Sequence, residues 1–356
     1  MTAPLPSLDH LLTWREASTS GAAIASALVA GGAAAAGLER SSAGAERIVL
    51  TGAGSSYYLA QAVASVARDS TGAVVLAVPL SELILRPSGV LGDGPAERQP
   101  IVVVSRSGST SEAVEVATRM RAAGHPTIAL TCRADSPLAA AADRVLVSPD
   151  GDEQAIVMTR SFASMLALLL RAIAGAATDQ RLAEDLDRAA DRWPEAVAAA
   201  EVGRRLGTTD WRRVVILGGG PAYGLAEEWG LKLTETSQVP TSVYEPLEFR
   251  HGPISVCEPG VLVVGLIGGP GVEHEARVVR EAAALGATTW SIGCEPADVE
   301  DLAGPTSLIG SGLHPAARLP LLVYPGQALA LTLALTRGCD PDAPRHLGQV
   351  VIVSPA

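Results

Sequence analysis

The chain has 356 residues, 48% of them hydrophobic and 18% charged, which excludes a disordered chain. At roughly 100–200 residues per domain, that length suggests two domains. Lys+Arg 27 against Asp+Glu 38 leaves a net charge of −11, and with no basic run this excludes a general nucleic-acid binder.

The first 46 residues read as a helical segment by composition. They open without a basic stretch followed by an apolar one, so no signal peptide is expected. Strands are then predicted at Arg47–Thr51, Ala73–Val78, Ile101–Ser105, Thr127–Thr131 and Arg144–Val147, with helices such as Ser56–Arg68 and Ser111–Ala123 between them. That order argues for βαβ units and a parallel sheet covered on both faces. The apolar stretch Ser161–Ala177 carries Arg171 and is expected to be a buried helix rather than a membrane span.

The pattern then returns. Arg213-Val-Val-Ile-Leu-Gly-Gly-Gly-Pro-Ala-Tyr-Gly-Leu-Ala226 aligns with Arg47-Ile-Val-Leu-Thr-Gly-Ala-Gly-Ser-Ser-Tyr-Tyr-Leu-Ala60, so the halves read as diverged copies of one α/β domain. The expected division is a helical segment 1–46, a first domain 47–178, connecting helices 179–206, a second domain 207–339 and a tail 340–356. Pro194 marks a break or a new first turn in the connection. The apolar run Val350–Val353 looks like a tail that docks onto the body.

Four cysteines, Cys132, Cys257, Cys294 and Cys339, lie far apart without CxxC spacing, so neither a disulfide framework nor a structural zinc site is expected. No compact metal-ligand cluster is visible, and no cofactor is implied. Thr51-Gly-Ala-Gly-Ser-Ser56 ends a strand and opens a helix, which suits either a tight turn or an anion at a helix N-terminus. The GxGxxG pattern fails there, because Tyr57 occupies the third glycine position.

Ser105-Arg-Ser-Gly-Ser-Thr-Ser-Glu112 is the stronger anion signal. Its hydroxyls, its glycine and the helix that follows suit a loop wrapping a phosphate. The alternative is an over-rich N-cap, since one hydroxyl suffices to cap a helix. The matching segment of the second half, Gly268–Glu275, has lost the hydroxyls, so only the first half is expected to bind phosphate. Lys232 is the only lysine in the chain. It is either a chance survivor or a group doing what a guanidinium cannot. Glu235 shares its helix face, and His251 sits in a turn before Gly252-Pro253. A carboxylate, an ammonium and an imidazole can together move protons.

These residues resemble the SIS (sugar isomerase) phosphosugar-binding family over nearly the whole chain. The resemblance rests on GAGSSY at Gly52–Tyr57, SRSGSTSE at Ser105–Glu112, EQAIVMTRSF at Glu153–Phe162, LKLTE at Leu231–Glu235, FRHGP at Phe249–Pro253 and PRHL at Pro344–Leu347. It implies two tandem SIS domains, each a mostly five-stranded parallel sheet flanked by helices in a three-layer, flavodoxin-like arrangement. The similar groups are the isomerase half of glucosamine-6-phosphate synthase, the glucosamine-6-phosphate deaminases and the tagatose-6-phosphate ketose/aldose isomerases.

By that resemblance Ser105, Arg106, Ser107, Ser109 and Thr110 bind the substrate phosphate. Gly54, Ser55, Ser56, Met158, Thr159 and Gln349 line the sugar. Glu235 is the base between C1 and C2, Lys232 stands near it, and His251 assists ring opening from a neighbouring subunit, which implies a homodimer. Gln349 stands where the synthase tail has an imine-forming lysine, and a carboxamide cannot form that bond. The implied activity is deamination and isomerisation of an amino-sugar 6-phosphate. Neutral sugar-phosphate isomerisation, fructosamine-6-phosphate deglycation and non-catalytic phosphosugar sensing stay open. A cytoplasmic protein with no nucleic-acid or membrane partner is expected.

Overall fold

The computed structural model describes residues 5–350, so residues 351–353 of the expected docking run lie outside the described residues. The chain separates into two compact units. One comprises Ser20–Gln154, Arg160–Asp187 and the chain from Gly348 on; the other comprises the chain up to Thr19, Ala155–Thr159 and Arg188–Leu347.

The first unit holds β1 (Arg47–Gly52), β2 (Val74–Pro79), β3 (Ile101–Val104), β4 (Thr127–Thr131) and β5 (Arg144–Val147). They form one parallel sheet in the order β2-β1-β3-β4-β5. All four residues of β3 are buried, as a central strand covered on both faces requires. One face packs Val49, Ile101 and Val103 against Val116 and Met120 of the helix Ser111–Ala122 and against Leu83.

The second unit holds β6 (Arg213–Gly218), β7 (Thr241–Tyr244), β8 (Val261–Leu266), β9 (Thr288–Gly293) and β10 (Thr306–Leu308). Their order is β10-β9-β8-β6-β7, all parallel, which is the first topology read from the other edge. The repeat seen in the sequence is therefore a repeat of the whole winding. In each sheet the winding reverses between the first and third strands, at β1/β3 and β6/β8. Ligands of such sheets bind at the carboxyl ends of the strands beside that reversal.

The units interleave in sequence more than the expected domain bounds do. The helical N-terminal segment is split: Leu12–Ala17 belongs to the second-sheet unit, while the helix Ser20–Ser42 packs on Arg160–Ala176 in the first-sheet unit. The connection is likewise divided after Asp187, inside the helix Gln180–Ala189, and Pro194 lies in the first turn of the helix Trp193–Gly207. Missing side chains explain why these helices pair so closely. A Cβ on Gly31 would lie 2.5 Å from the Leu168 carbonyl oxygen, and one on Gly203 would lie 2.7 Å from that of Pro325.

The helix Arg160–Ala176 is buried along almost its whole length, as expected of Ser161–Ala177. It is not the most membrane-like stretch, however. Ser20–Ser42 and Leu319–Thr336 are both long and apolar enough to cross a bilayer, with mean hydropathies of 1.7 and 1.5. Alanine and glycine, not leucine runs, carry Ser20–Ser42 over that threshold. Leu319–Thr336 is apolar because 89% of it is buried against protein.

Two stability predictions follow from the second-sheet unit. Trp229 is 1% exposed and donates from Nε1 to the Leu322 carbonyl at 2.9 Å. A Cβ on Gly326 would lie 2.2 Å from its ring. Gly326→Ala would gain about 1 kcal/mol of helix propensity in an open helix. Here overpacking is expected to reverse the sign, with a net loss of about 1–3 kcal/mol read as a lower melting temperature.

Asp342 caps the helix Leu12–Ala17 from far along the chain, accepting the N–H groups of Leu12 at 2.7 Å and Thr13 at 2.8 Å and the Thr13 hydroxyl at 2.6 Å. Burial alone would raise its pKa, but these hydrogen bonds outweigh burial and hold the carboxyl below the ordinary range. A depressed folded pKa stabilises fully above the unfolded value of about 3.9, and that contribution is lost as pH falls through the folded value. Asp342→Asn is therefore expected to cost about 1 kcal/mol at neutral pH. The gap in melting temperature from the wild type should close below about pH 4.

Candidate active site

The first-sheet unit carries its cluster of expected residues at the carboxyl end of the sheet, while in the second Lys232 and Glu235 lie in the last turns of the helix that follows β6. In the first-sheet unit β1 runs into Gly54, whose φ of +54° turns the chain into the helix Ser55–Ser70. Ser55 and Ser56 are buried in its first turn. Beside it, β3 runs into Ser105–Thr110 and the helix Ser111–Ala122. Gly108 has a φ of +61°, and a Cβ there would lie 2.1 Å from the Ser136 hydroxyl. Only glycine fits that turn.

The loop hydroxyls are not consumed as caps. Thr110 is the N-cap of Ser111–Ala122, yet its side chain makes no capping bond and lies 3.4 Å from Ser105 Oγ. Ser107 Oγ accepts the Ser109 N–H at 3.1 Å, which curls the loop on itself. Ser105 and Ser107 are buried, while Ser109 and Thr110 are half-exposed. Four hydroxyls and the positive end of a 12-residue helix thus share one turn.

Arg106 faces a different way from the hydroxyls it sits among. Its guanidinium is 5% exposed and lies 3.7 Å from Glu153 Oε1, and Nη2 donates to the Gln349 carbonyl at 2.9 Å. Glu153, 2% exposed, also accepts the Ser161 hydroxyl. Gln349 returns the link: its Nε2 donates at 3.2 Å to the carbonyls of both Glu153 and Gln154. Glu153 stands in the EQAIVMTRSF segment, and sequence reasoning passed over it in favour of Met158 and Thr159. A buried arginine needs a carboxylate, and that is the signal that could have found it. Cys132 donates its N–H to the Arg106 carbonyl at 3.0 Å. Burial first, then Glu153 and Asp152, push its thiol far up, so it stays protonated and inert.

In the second-sheet unit Lys232 and Glu235 lie on the helix Pro221–Ser237, which follows β6 through Gly220, φ +53°. Lys232 is 3% exposed, and its Nζ lies 2.5 Å from Glu235 Oε2 and 3.5 Å from Glu228 Oε1. Glu228, Lys232 and Glu235 are one turn apart in succession, so they share one stripe of the helix. Glu228 was not singled out in the sequence, although its i−4 spacing from the only lysine carries the signal. Its side chain is 1% exposed and that of Glu235 19%, so of the two carboxylates Glu235 is the one open to a ligand.

His251 is exposed in the turn after the helix Pro246–Phe249, with its N–H donating to the Glu248 carbonyl at 3.0 Å. Arg250 pins that turn to Glu281, Nε to Oε2 at 2.7 Å, and Gly252 at φ +124° reverses the chain. Met158 is half-buried and Thr159 buried; both belong to the second-sheet unit through the short segment Ala155–Thr159. That segment is held by the Ala155 N–H, which donates to Glu16 Oε2 at 2.9 Å.

Comparison with known proteins agrees with this arrangement. The family model described as SIS domain matches residues 43–174 and 208–299, one match per sheet. A Streptomyces coelicolor protein named "Putative D-galactosamine-6-phosphate deaminase AgaS" is 34% identical over 328 residues, covering 85% of this chain and 82% of that one. The glutamine–fructose-6-phosphate aminotransferase (isomerizing) of Tropheryma whipplei is 28% identical over 326 residues, covering 86% of this chain; the chain spans 52% of that relative. The crystal structure of tagatose-6-phosphate ketose/aldose isomerase from Escherichia coli superposes with a TM-score of 0.83 at 25% identity and covers 99% of each chain. With two matched sheets of one topology, this chain belongs to the SIS domain family.

Proposed function

We propose that the chain is an amino-sugar 6-phosphate deaminase/isomerase, converting a 2-amino-2-deoxy aldose 6-phosphate to a ketose 6-phosphate and ammonia. That it is an enzyme follows from its relatives, which are phosphosugar isomerases and deaminases. The observation that carries the reaction is the buried ammonium held between two carboxylates, Lys232 Nζ at 2.5 Å from Glu235 and 3.5 Å from Glu228. A sensor needs only the phosphate loop. Burying a lysine with two glutamates is costly and calls for a purpose beyond binding.

The phosphate is assigned to the hydroxyls of Ser105, Ser107, Ser109 and Thr110 and to the N-terminus of the following helix. Binding energy from that remote group positions C1 and C2. Arg106 is assigned the task of stiffening the loop through Glu153 and the Gln349 carbonyl, and Gln349 that of fastening the tail. Gly54, Ser55 and Ser56 are assigned to the sugar, as are Met158 and Thr159. His251 passes a proton from the anomeric hydroxyl to the ring oxygen, which opens the ring.

Glu235 takes the C2 proton, leaving an enolamine whose negative character the Lys232 ammonium stabilises. The same carboxyl returns the proton to C1 while an amino proton passes to O1, and the C2 imine so formed is hydrolysed by water to the ketone and ammonia. The resemblance also supports a cytoplasmic homodimer in which His251 serves the neighbouring copy. The test is ammonia release from galactosamine 6-phosphate and glucosamine 6-phosphate. Ammonia and a ketose 6-phosphate in equal amounts from either sugar are expected. No ammonia from either, with phosphosugar still bound, would overturn the reading.

A further inference from the structure

The carboxyl edge of the second sheet repeats the geometry of the phosphate loop with different chemistry. Gly268–Gly271 follows β8 and leads into the 13-residue helix Val272–Ala284, as Ser105–Thr110 follows β3. The Gly268 N–H there is already taken, donating at 2.9 Å to Glu275 Oε2 from the same helix. In the adjoining loop the Gly220 backbone holds the Glu245 carboxyl down against the larger rise that burial gives it. By strand register Glu245 stands where the first sheet has Pro79. The second half has thus brought its own carboxylates to a loop that in the first half carries hydroxyls.

Beneath this loop lies one buried positive charge among carboxylates. Arg318 is 3% exposed, and its Nη2 bridges the ends of β8 and β9 by donating to the carbonyls of Ile267 at 3.0 Å and Ile292 at 3.2 Å. Its Nη1 is buried and meets no hydrogen-bond acceptor among the described residues. It points at the loop: a Cβ on Gly268 would lie 3.1 Å from it. A buried guanidinium nitrogen without an acceptor is uncommon, since buried polar groups are nearly always paired. Burial raises the Glu275 carboxyl above its ordinary range, although the Gly268 N–H and Arg318 pull it down; Glu245 and Asp298 add to the rise.

We propose that this loop is a second oxyanion site, held shut by the Glu275 carboxylate and able to take a phosphate group once that carboxylate is neutralised. The incoming oxyanion would replace Glu275 at the Gly268 N–H and give Arg318 Nη1 its missing acceptor. Inorganic phosphate or a phosphate monoester has the matching charge and the several acceptor oxygens. The bidentate habit of arginine toward phosphate favours it over a halide.

The experiment is equilibrium dialysis of the wild type and Glu275→Gln against inorganic phosphate, followed by crystallisation of the variant with phosphate. Glutamine keeps the shape of the side chain and removes its charge, and a melting curve confirms that the variant is folded. The variant is expected to take up one more equivalent per chain than the wild type, with the added anion found between Gly268 and Arg318. Equal uptake by the two folded proteins would overturn the proposal, and so would an added anion located elsewhere. The readout is a difference between two proteins, so it stands whether or not the Ser105–Thr110 loop holds the substrate phosphate.

Discussion

Glu235→Gln is expected to lower turnover on the amino-sugar phosphate by about 10²–10⁴-fold, the usual contribution of a positioned general base. KM should change little, because the phosphate loop and not the carboxylate supplies the binding energy. The variant is a demanding test because it is nearly isosteric. The glutamine carbonyl oxygen can still accept from Lys232 Nζ, which lies 2.5 Å from Glu235 Oε2 in the wild type. Folding is therefore expected to be preserved while the proton acceptor is lost. Exchange of a C2 deuteron with solvent reads the step directly, and it should vanish with ammonia release. Turnover and exchange both within about threefold of the wild type would remove Glu235 from the proton path, since any real base contributes more than that.

The strand positions of the first sheet were legible in the sequence because its strands are short apolar runs, with the central β3 and β4 buried throughout. Thr127–Thr131 and Arg144–Val147 were read to the residue, and β1 and β3 to within one. The repeat was legible for the same reason, since Arg47–Ala60 and Arg213–Ala226 each hold a strand, a tight turn and a helix start. The division into units was not, because it depends on which helix packs on which. Ser20–Ser42 reads as one more Ala-rich stretch, and nothing in its composition says that Gly31 fits against Leu168 some 140 positions away.

The site divides along the same line. Lys232, Glu235 and the Ser105–Thr110 loop stand out by residue type and local spacing. The family resemblance sets Arg106 among the phosphate ligands. Its long side chain instead reaches Glu153 and Gln349, distant in sequence, and only tertiary structure shows that. Glu228 was hidden for a simpler reason: on a helix with several glutamates, its partner is decided by which face is buried.

Lys232→Met should be the most destabilising single change at the site. It leaves Glu228 and Glu235, two turns apart on one stripe, without the ammonium that lies 3.5 Å and 2.5 Å from them. Breaking a buried ion pair by removing one partner costs about 3–5 kcal/mol, because the charge left behind is uncompensated. Against a total stability of about 5–15 kcal/mol, that loss should be plain in the melting temperature. Lys232→Arg should be milder in stability, since the charge is kept. It should still impair turnover, because a planar fork cannot sit where a point charge sat between two carboxylates at 3% exposure. The double variant Lys232→Met with Glu228→Gln separates charge balance from catalysis. Removing the buried carboxylate should restore part of the lost stability, while turnover stays low because the enolamine has lost its ammonium. A Lys232→Met protein as stable as the wild type would show that the three groups are not an ion network. Full turnover in the restored double variant would show that the ammonium serves the fold alone.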